Sequence, residues 1–360
     1  MKYFNYFILT SLLLFFSCTQ EKSEDFLEIM VNPDSEEIIN ISSFIKGYKL
    51  IKIDTQEKSL ISNPQKIQYY KGNFYILDTY QNSILMIDNH GNSKRKLSKQ
   101  GNGPGEYYQI TDFVVYHDYL YVLDNSKAII LYYDTTFTFV DKINTETYAK
   151  NFAINEHSLW LYNVPKLIKN DHQITQIAMG RNSKKEYLPK NTLQETYGWG
   201  GPNVFYTHQN NLYLSPIHDN TIYLLKQSSI EPVFKINFGK NSFPEKDNTN
   251  KYNVFEKDFK YALKQNYFIT SKYVLFDFFY KLDRFFGIYN KEDSTFLQGK
   301  ITNDLIKKLR FSPSWGNDNF LIDAIPSDVI YNSFPFLLEH KEIESLKADD
   351  NPVIVLYQLK

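Results

Sequence analysis

At 360 residues the chain exceeds the usual domain of ~100–200, although all-β barrels and propellers often run longer as one unit. Hydrophobic residues make up 42% and charged residues 22%, enough for a real core, and the aromatic share is high at 17%. The formal net charge of −1 leaves no electrostatic footprint of the kind nucleic-acid binders carry, so that partner class is excluded.

The N-terminus has three parts: Lys2 gives a positive start, Tyr6 to Phe16 is almost wholly apolar, and Ser17 and Cys18 close the segment. An apolar run of about eleven residues is too short to span a hydrocarbon layer of ~30 Å, and it suits the core of an export signal. Leu14-Phe15-Phe16-Ser17-Cys18 resembles a bacterial lipobox. That resemblance implies a lipoprotein signal over residues 1–18 and a diacylated Cys18 as the new N-terminus. Cys18 is the only cysteine, so the mature chain forms no internal disulfide. The alternative is a cleaved signal with an incidental cysteine. Residues 19–40 are expected to be a flexible tether, opening on the polar stretch Thr19 to Asp25, whose acidic bias resembles the surface-export signals of some Gram-negative lipoproteins. The expected location is therefore the outer membrane, facing the periplasm or the cell surface.

Residues 41–360 carry an internal repeat. One tract recurs as Asn73–Asp78, Tyr119–Asp124, Ser158–Asn163, Asn211–Ser215, Lys272–Asp277 and Asn319–Asp323. The first two copies start 46 residues apart, close to the ~40–50 of known propeller repeats. Each of these two is followed by a polar turn and a second tract, Ser83–Asp88 and Ala128–Asp134. Short aromatic and β-branched tracts bounded by Asp, Asn and Gly are strands. Asp88-Asn-His-Gly91 reads as a hairpin turn with glycine supplying positive φ. Four strands in each of six copies describe an all-β, six-bladed β-propeller. A blade alone cannot bury both faces, so the ring must close. Tyr48–Asp54 pairing with Val353–Leu359 is the expected closure, which also spares the chain an open sheet edge.

Two short helical insertions are expected. Val254 to Leu263 spaces Phe255, Phe259 and Ala262–Leu263 as an apolar stripe, and Leu337 to Leu346 precedes the break at Asn351-Pro352. Covering a propeller edge is the favoured reading of both, with a partner-helix site as the alternative.

Gln100-Gly-Asn-Gly-Pro-Gly-Glu-Tyr107 is the sharpest motif. It lacks the Gly-Lys-Ser/Thr ending of a phosphate loop, and no helix follows. Its three glycines and proline suit a tight turn between one blade and the next. Together with Leu120–Asn125 it resembles the NHL-type repeat. With Cys18 and the closing Asn351–Lys360 it more closely resembles the bacterial six-bladed, NHL/TolB-like propeller lipoproteins of unknown function. The resemblance implies a fold, and fold alone does not imply function.

Asp78 and Asp124 are expected to brace turns through their side chains. The calcium pattern Asp-x-Asp-x-Asp-Gly is absent, the seven histidines lack zinc spacing, and there is no Gly-x-Ser-x-Gly elbow. No catalytic residue, metal or cofactor is therefore expected. In a propeller the loops joining second to third strands share a face with those joining blades, and that face would gather Tyr80, Asn82, Asn125, Glu106, Tyr107, Tyr148, Tyr197, Trp199 and Asn203. Residues 301–310 would join them with Asn303, Asp304 and Arg310; Lys307 and Lys308 stand where related lipoproteins tend to have glycines. Tyr80, Tyr107, Tyr197, Trp199, Asn303, Asp304 and Arg310 are the candidate ligand-binding residues. Aromatics beside Asn, Asp and Arg suit stacking on sugars or gripping a peptide; the competing reading is that they pack between blades. The expected function is a non-catalytic binding or scaffold lipoprotein for a glycan, peptide or envelope protein, membrane-attached through its lipid. The alternative is a propeller hydrolase or lyase with a channel metal.

Overall fold

The computed structural model describes residues 26–163, 172–180, 183–189, 201, 203–243 and 259–360. Its strands form six sheets. Blade one is Pro64–Tyr70, Asn73–Asp78, Ser83–Asp88 and Ser93–Leu97, and blade two is Ile110–Tyr116, Tyr119–Asp124, Ile129–Tyr133 and Phe139–Asn144. Blade three runs Ala149–Ile154, Ser158–Asn163, His172–Ala178 and Lys184–Pro189. Blade four is Phe205–His208, Asn211–Leu214, Thr221–Leu225 and Ile230–Asn237. Blade five is Leu263–Ile269, Tyr273–Tyr280, Asp283–Asn290 and Phe296–Thr302. Every copy of the repeat falls on the second strand of its blade. Asp88 to Gly91 is the expected turn, with Gly91 at φ +89°.

Blade six is Trp315–Gly316, Phe320–Ile325, Val353–Leu359 and, from the other end of the chain, Ile45–Lys52. Val353 faces Lys52 and Tyr357 faces Tyr48 in an antiparallel ladder, so the expected closure is the observed one. Both faces of this blade are buried. Val353, Val355 and Tyr357 belong to the cluster shared with blade five, while Ile354 and Ile51 belong to the cluster shared with blade one. Alternation along a single strand thus seals the ring on two sides.

Two expectations are corrected. The tether does not extend to residue 40: Leu27–Met30 adds to Ile230–Asn237 of blade four, and Ile38–Asn40 adds to Phe296–Thr302 of blade five, both in parallel. Ile29, Val31, Ile39 and Ile41 bury their side chains there, an alternation that drives the segment onto the open edges. The helix near the C-terminus is Ser327–Ser333, not Leu337 to Leu346. Pro335, which cannot sit inside a helix, turns the chain into a 3-10 turn over Pro335–Glu339, and Ile343 and Leu346 are buried beyond it from irregular structure. In the other expected helix, residues 254–258 lie outside the described residues, while Leu263 opens the inner strand of blade five.

The repeat's terminal residue does the same work in successive blades. Asp78 accepts from the Ser62 amide (2.5 Å) in the incoming loop and from the Tyr80 and Gln81 amides (2.9 and 3.1 Å) in its own turn. Asp124 accepts from the Tyr108 amide (2.6 Å), the Ser126 hydroxyl (2.7 Å) and the Lys127 amide (3.3 Å). These buried carboxylates hold each loop of the channel face to the blade behind it. Asp124→Ala strands those donors and is expected to cost about 2–4 kcal/mol in urea unfolding, whereas Tyr80→Ala, on the exposed tip of the neighbouring turn, stays within ~0.5 kcal/mol. Equal costs for the two variants would contradict the bracing role.

Candidate channel-mouth site

The innermost strands of successive blades surround the central channel, and their N-terminal ends open on the face that carries the braced loops. The ladder slips near the start of the inner strand in blades one, two, three and five, leaving Gln65, Thr111, Lys150 and Gln265–Asn266 out of register. A bulge of this kind re-aims a side chain at the sheet edge, here the channel mouth.

Polar contacts stitch the inner strands together. Asp112, buried in blade two, pairs with Lys66 of blade one (2.8 Å) and accepts from the Phe152 amide of blade three (3.1 Å). The Gln68 amide group bonds both backbone groups of Val115 (2.8 and 2.9 Å). Between blades five and six, Asp277 accepts from Arg284 Nε (2.6 Å), and Arg284 also donates to the Ser312 hydroxyl. Lys264, buried in blade five, donates to the Ser215 hydroxyl of blade four, and desolvation lowers its pKa to about 8 against the opposing charge of Asp219. At the opposite end of the channel His208 of blade four meets Asp318 in the first turn of blade six. Among the described residues no group of His, Cys, Asp or Glu could hold a metal ion.

Asp323 ends the sixth repeat copy. Desolvation raises its pKa from 3.8 to about 7, opposed by the Ala324 amide (2.9 Å) and by the charges of Arg284 and Arg310. Asp323 is half-buried, and the protein packed around its carboxyl withholds the water that would solvate its charge. A raised pKa means that the folded state keeps a proton that the unfolded chain loses near pH 4, so this group lowers stability progressively from about pH 4 to about pH 7. In urea unfolding, the advantage of Asp323→Asn over the wild type is expected to grow across that window and level off above it. An advantage independent of pH would contradict the assignment.

One cleft of the mouth lies over blades one to three. It is about 520 Å³ and is lined by Thr79, Ile110, Thr111, Asn125, Ser126 and Tyr148. Tyr80 follows Thr79 and is 81% exposed; Tyr108, close by in the interblade loop, is 59% exposed, and Tyr148 is 37% exposed. Asn82 fixes the backbone beneath them, donating to the Tyr108 carbonyl (2.9 Å) and accepting from the Ile110 amide (2.8 Å). Asn125 lines the cleft, while its Oδ1 is buried beneath the surface with no hydrogen-bond partner among the described residues.

The expected binding residues divide accordingly. Tyr80 and Arg310 are exposed on this face. Tyr107 is not a surface residue: its ring is fully buried between blades one and two, and its hydroxyl donates to the Asn82 carbonyl (3.0 Å) while accepting from the Lys99 amide (3.0 Å). Burial pushes its pKa up to about 12. The glycine motif serves this insertion: Gly105, at φ +73°, packs against Phe139 where a Cβ would clash, and Glu106 folds back onto the Gly103 amide (2.8 Å). Asn303 is buried as well, accepting from the Ile306 amide (2.8 Å) to cap its own turn, and Asp304 accepts from the Ser42 amide (3.0 Å), tying down the N-terminal segment. Tyr197 and Trp199 lie outside the described residues. Asn203 bridges to the Ser314 carbonyl (2.8 Å) above blade five. Sequence reasoning missed Tyr108. Adjacent tyrosines on extended chain point opposite ways, so burying Tyr107 turns Tyr108 outward.

The fold has close counterparts among solved structures. A protein of Bacteroides fragilis described as exported superposes with a TM-score of 0.73 at 17% identity, over 93% of this chain and 99% of that one. A member of the DUF4221 family from Bacteroides vulgatus superposes with a TM-score of 0.50 at 9% identity, over 88% of this chain and 97% of the other. At these identities the likeness is one of fold alone. No curated protein matches the sequence, and among the described residues no helix is long and apolar enough to cross a membrane. Residues 25–358 match one family throughout, and the chain belongs to it: the domain of unknown function DUF4934.

Proposed function

We propose that this propeller is an exported, lipid-anchored binding protein of the outer membrane whose channel mouth holds a glycan. The observation that carries the reading is the trio of exposed tyrosines on one braced face: Tyr148 lines a largely apolar cleft, and Tyr80 and Tyr108 adjoin its lining residues Thr79 and Gln109. Exposed rings held in place present flat apolar faces at low entropic cost, and sugars offer matching C–H faces ringed by hydroxyls. The cleft is of the volume usual for small-ligand sites. Bracing by Asp78 and Asp124 keeps the site preorganised, so little ordering entropy opposes binding.

Membrane attachment rests on the lipobox-like sequence ending at Cys18. Replacing Cys18 by Ala is expected to move the protein from the membrane to the soluble fraction; unchanged partitioning would contradict the lipid anchor. Ligand binding is tested on an array of neutral and acidic oligosaccharides. The double variant Tyr80→Ala/Tyr148→Ala is expected to lose binding by about tenfold or more while unfolding at the wild-type denaturant midpoint. Sugar binding that survives intact in this variant would place the site elsewhere.

A further inference from the structure

We infer that the blade-two face turned toward blade three, at the end of the ring opposite the mouth, binds a small organic cation of the alkylammonium class. Its ammonium would be shared between the Tyr119 and Tyr132 rings and the Asp141 carboxylate. This site stands apart from the mouth and does not depend on the glycan reading. Strand register builds it. Tyr116 faces Tyr119, Tyr121 faces Tyr132, and Tyr132 faces Asp141 on the outermost strand. Residues directly opposite in antiparallel strands lie on one side of the sheet, with their side chains in reach of each other. The Tyr132 ring stacks on Tyr121 at 5.3 Å, and Tyr119 meets the two edge-on at 5.8 and 6.3 Å. Tyr121 is the buried base, packed with the apolar side chains of blade three, while Tyr132 is half-buried and Tyr119 is 37% exposed.

Elsewhere the chain sets a tyrosine ring beside a carboxylate and places one of its own lysines between them. Lys71 lies over the Tyr70 ring (5.3 Å) and pairs with Asp118 (2.7 Å). Lys281 lies over Tyr280 (4.8 Å) and pairs with Asp34 (2.7 Å), and Lys272 lies over Tyr273 (5.4 Å) and pairs with Glu292 (3.4 Å). Each ammonium meets the negative face of a ring and a full negative charge together. Tyr132 and Asp141 repeat the ring and the carboxylate, but among the described residues no cation joins them. Asp141 is exposed and accepts only from the following Lys142 amide (2.8 Å). The cations nearby are committed. Lys142 stands opposite Leu131, on the other side of the sheet. Lys127, which shares with Asp141 the cleft beneath the glycine motif, donates to the Gly101 and Glu106 carbonyls (2.8 and 3.3 Å). In blade three Lys184 pairs with Glu186 (3.4 Å), and His117 stacks on Tyr116 (4.1 Å). One carboxylate beside ring faces gives a diffuse negative field without the paired acceptors that a guanidinium fork takes, which suits an alkylammonium.

Calorimetric titration of the purified protein with choline, with n-butylammonium and with 3,3-dimethylbutan-1-ol, the neutral carbon counterpart of choline, separates charge from shape. At least one of the two cations is expected to bind about tenfold or more tightly than the neutral alcohol. Asp141→Asn, at an exposed position, is expected to remove that preference while unfolding at the wild-type denaturant midpoint. Tyr132→Leu is expected to weaken the cation by about tenfold, and Tyr80→Ala/Tyr148→Ala to leave its binding unchanged. The proposal would be overturned by equal or absent binding of the cations and the alcohol, or by a preference that survives in Asp141→Asn. A preference lost in the mouth variant and kept in Tyr132→Leu would overturn it too, by placing the cation at the mouth.

Discussion

The structure depends on one strand, Val353–Leu359, being hydrogen-bonded on both sides: to Phe320–Ile325 from its own end of the chain and to Ile45–Lys52 from the other. A twisted four-stranded sheet has two apolar faces and cannot bury both by itself. Each blade of the ring lends one face to each neighbour, so removing any blade exposes two apolar surfaces. Closure through a shared sheet converts six marginal sheets into one cooperative unit. It also fixes the circumference of the channel and, with it, the spacing of the loops at the mouth.

The polar framework at the mouth is a second consequence of the repeat. A carboxylate ending the second strand of a blade can reach forward to its own turn and back to the loop arriving from the previous blade. In blades one and two this is what Asp78 and Asp124 do. The copies that lost the aspartate compensate. Asn163 bonds Thr175 and the His172 carbonyl, and Ser215 accepts the Lys264 ammonium. Asp277 and Asp323 keep the acid but sit in drier surroundings, where burial raises both pKa values. The braces thus grade from well-satisfied carboxylates over blades one and two to a desolvated cluster between blades five and six. The proposed ligand site lies beside the well-satisfied carboxylates.

The architecture was largely legible because the fold is periodic. Six tracts ending in Asp, Asn or Ser, and two apolar tracts left over at the ends, were enough to place the second strand of each blade and the closing sheet. Short parallel strands such as Leu27–Met30 and Ile38–Asn40 were not legible as such. Their alternation is visible only once an open edge is known to await them. The site was less readable. Tyr80 is exposed, as the tip of a turn is expected to be, whereas Tyr107 is buried because the glycine-rich loop, which reads as a surface loop, drives this tyrosine into a blade interface. Asn303 caps its own turn and Asp304 holds the N-terminal segment, contacts with distant or backbone partners that the sequence does not announce.

Lys49 and Leu356 stand directly opposite one another in the closing ladder. Directly paired residues of antiparallel strands come within the Cα separation that a disulfide spans. In a chain carrying Cys18→Ser, so that no other thiol is present, the pair Lys49→Cys and Leu356→Cys should oxidise to a disulfide under native conditions. The product would be seen as a loss of two hydrogens by mass spectrometry and as a compact species on a non-reducing gel. Thiols that stay free in the folded, oxidised protein would show that the two ends of the chain do not share a sheet, and the ring would have to be closed in another way.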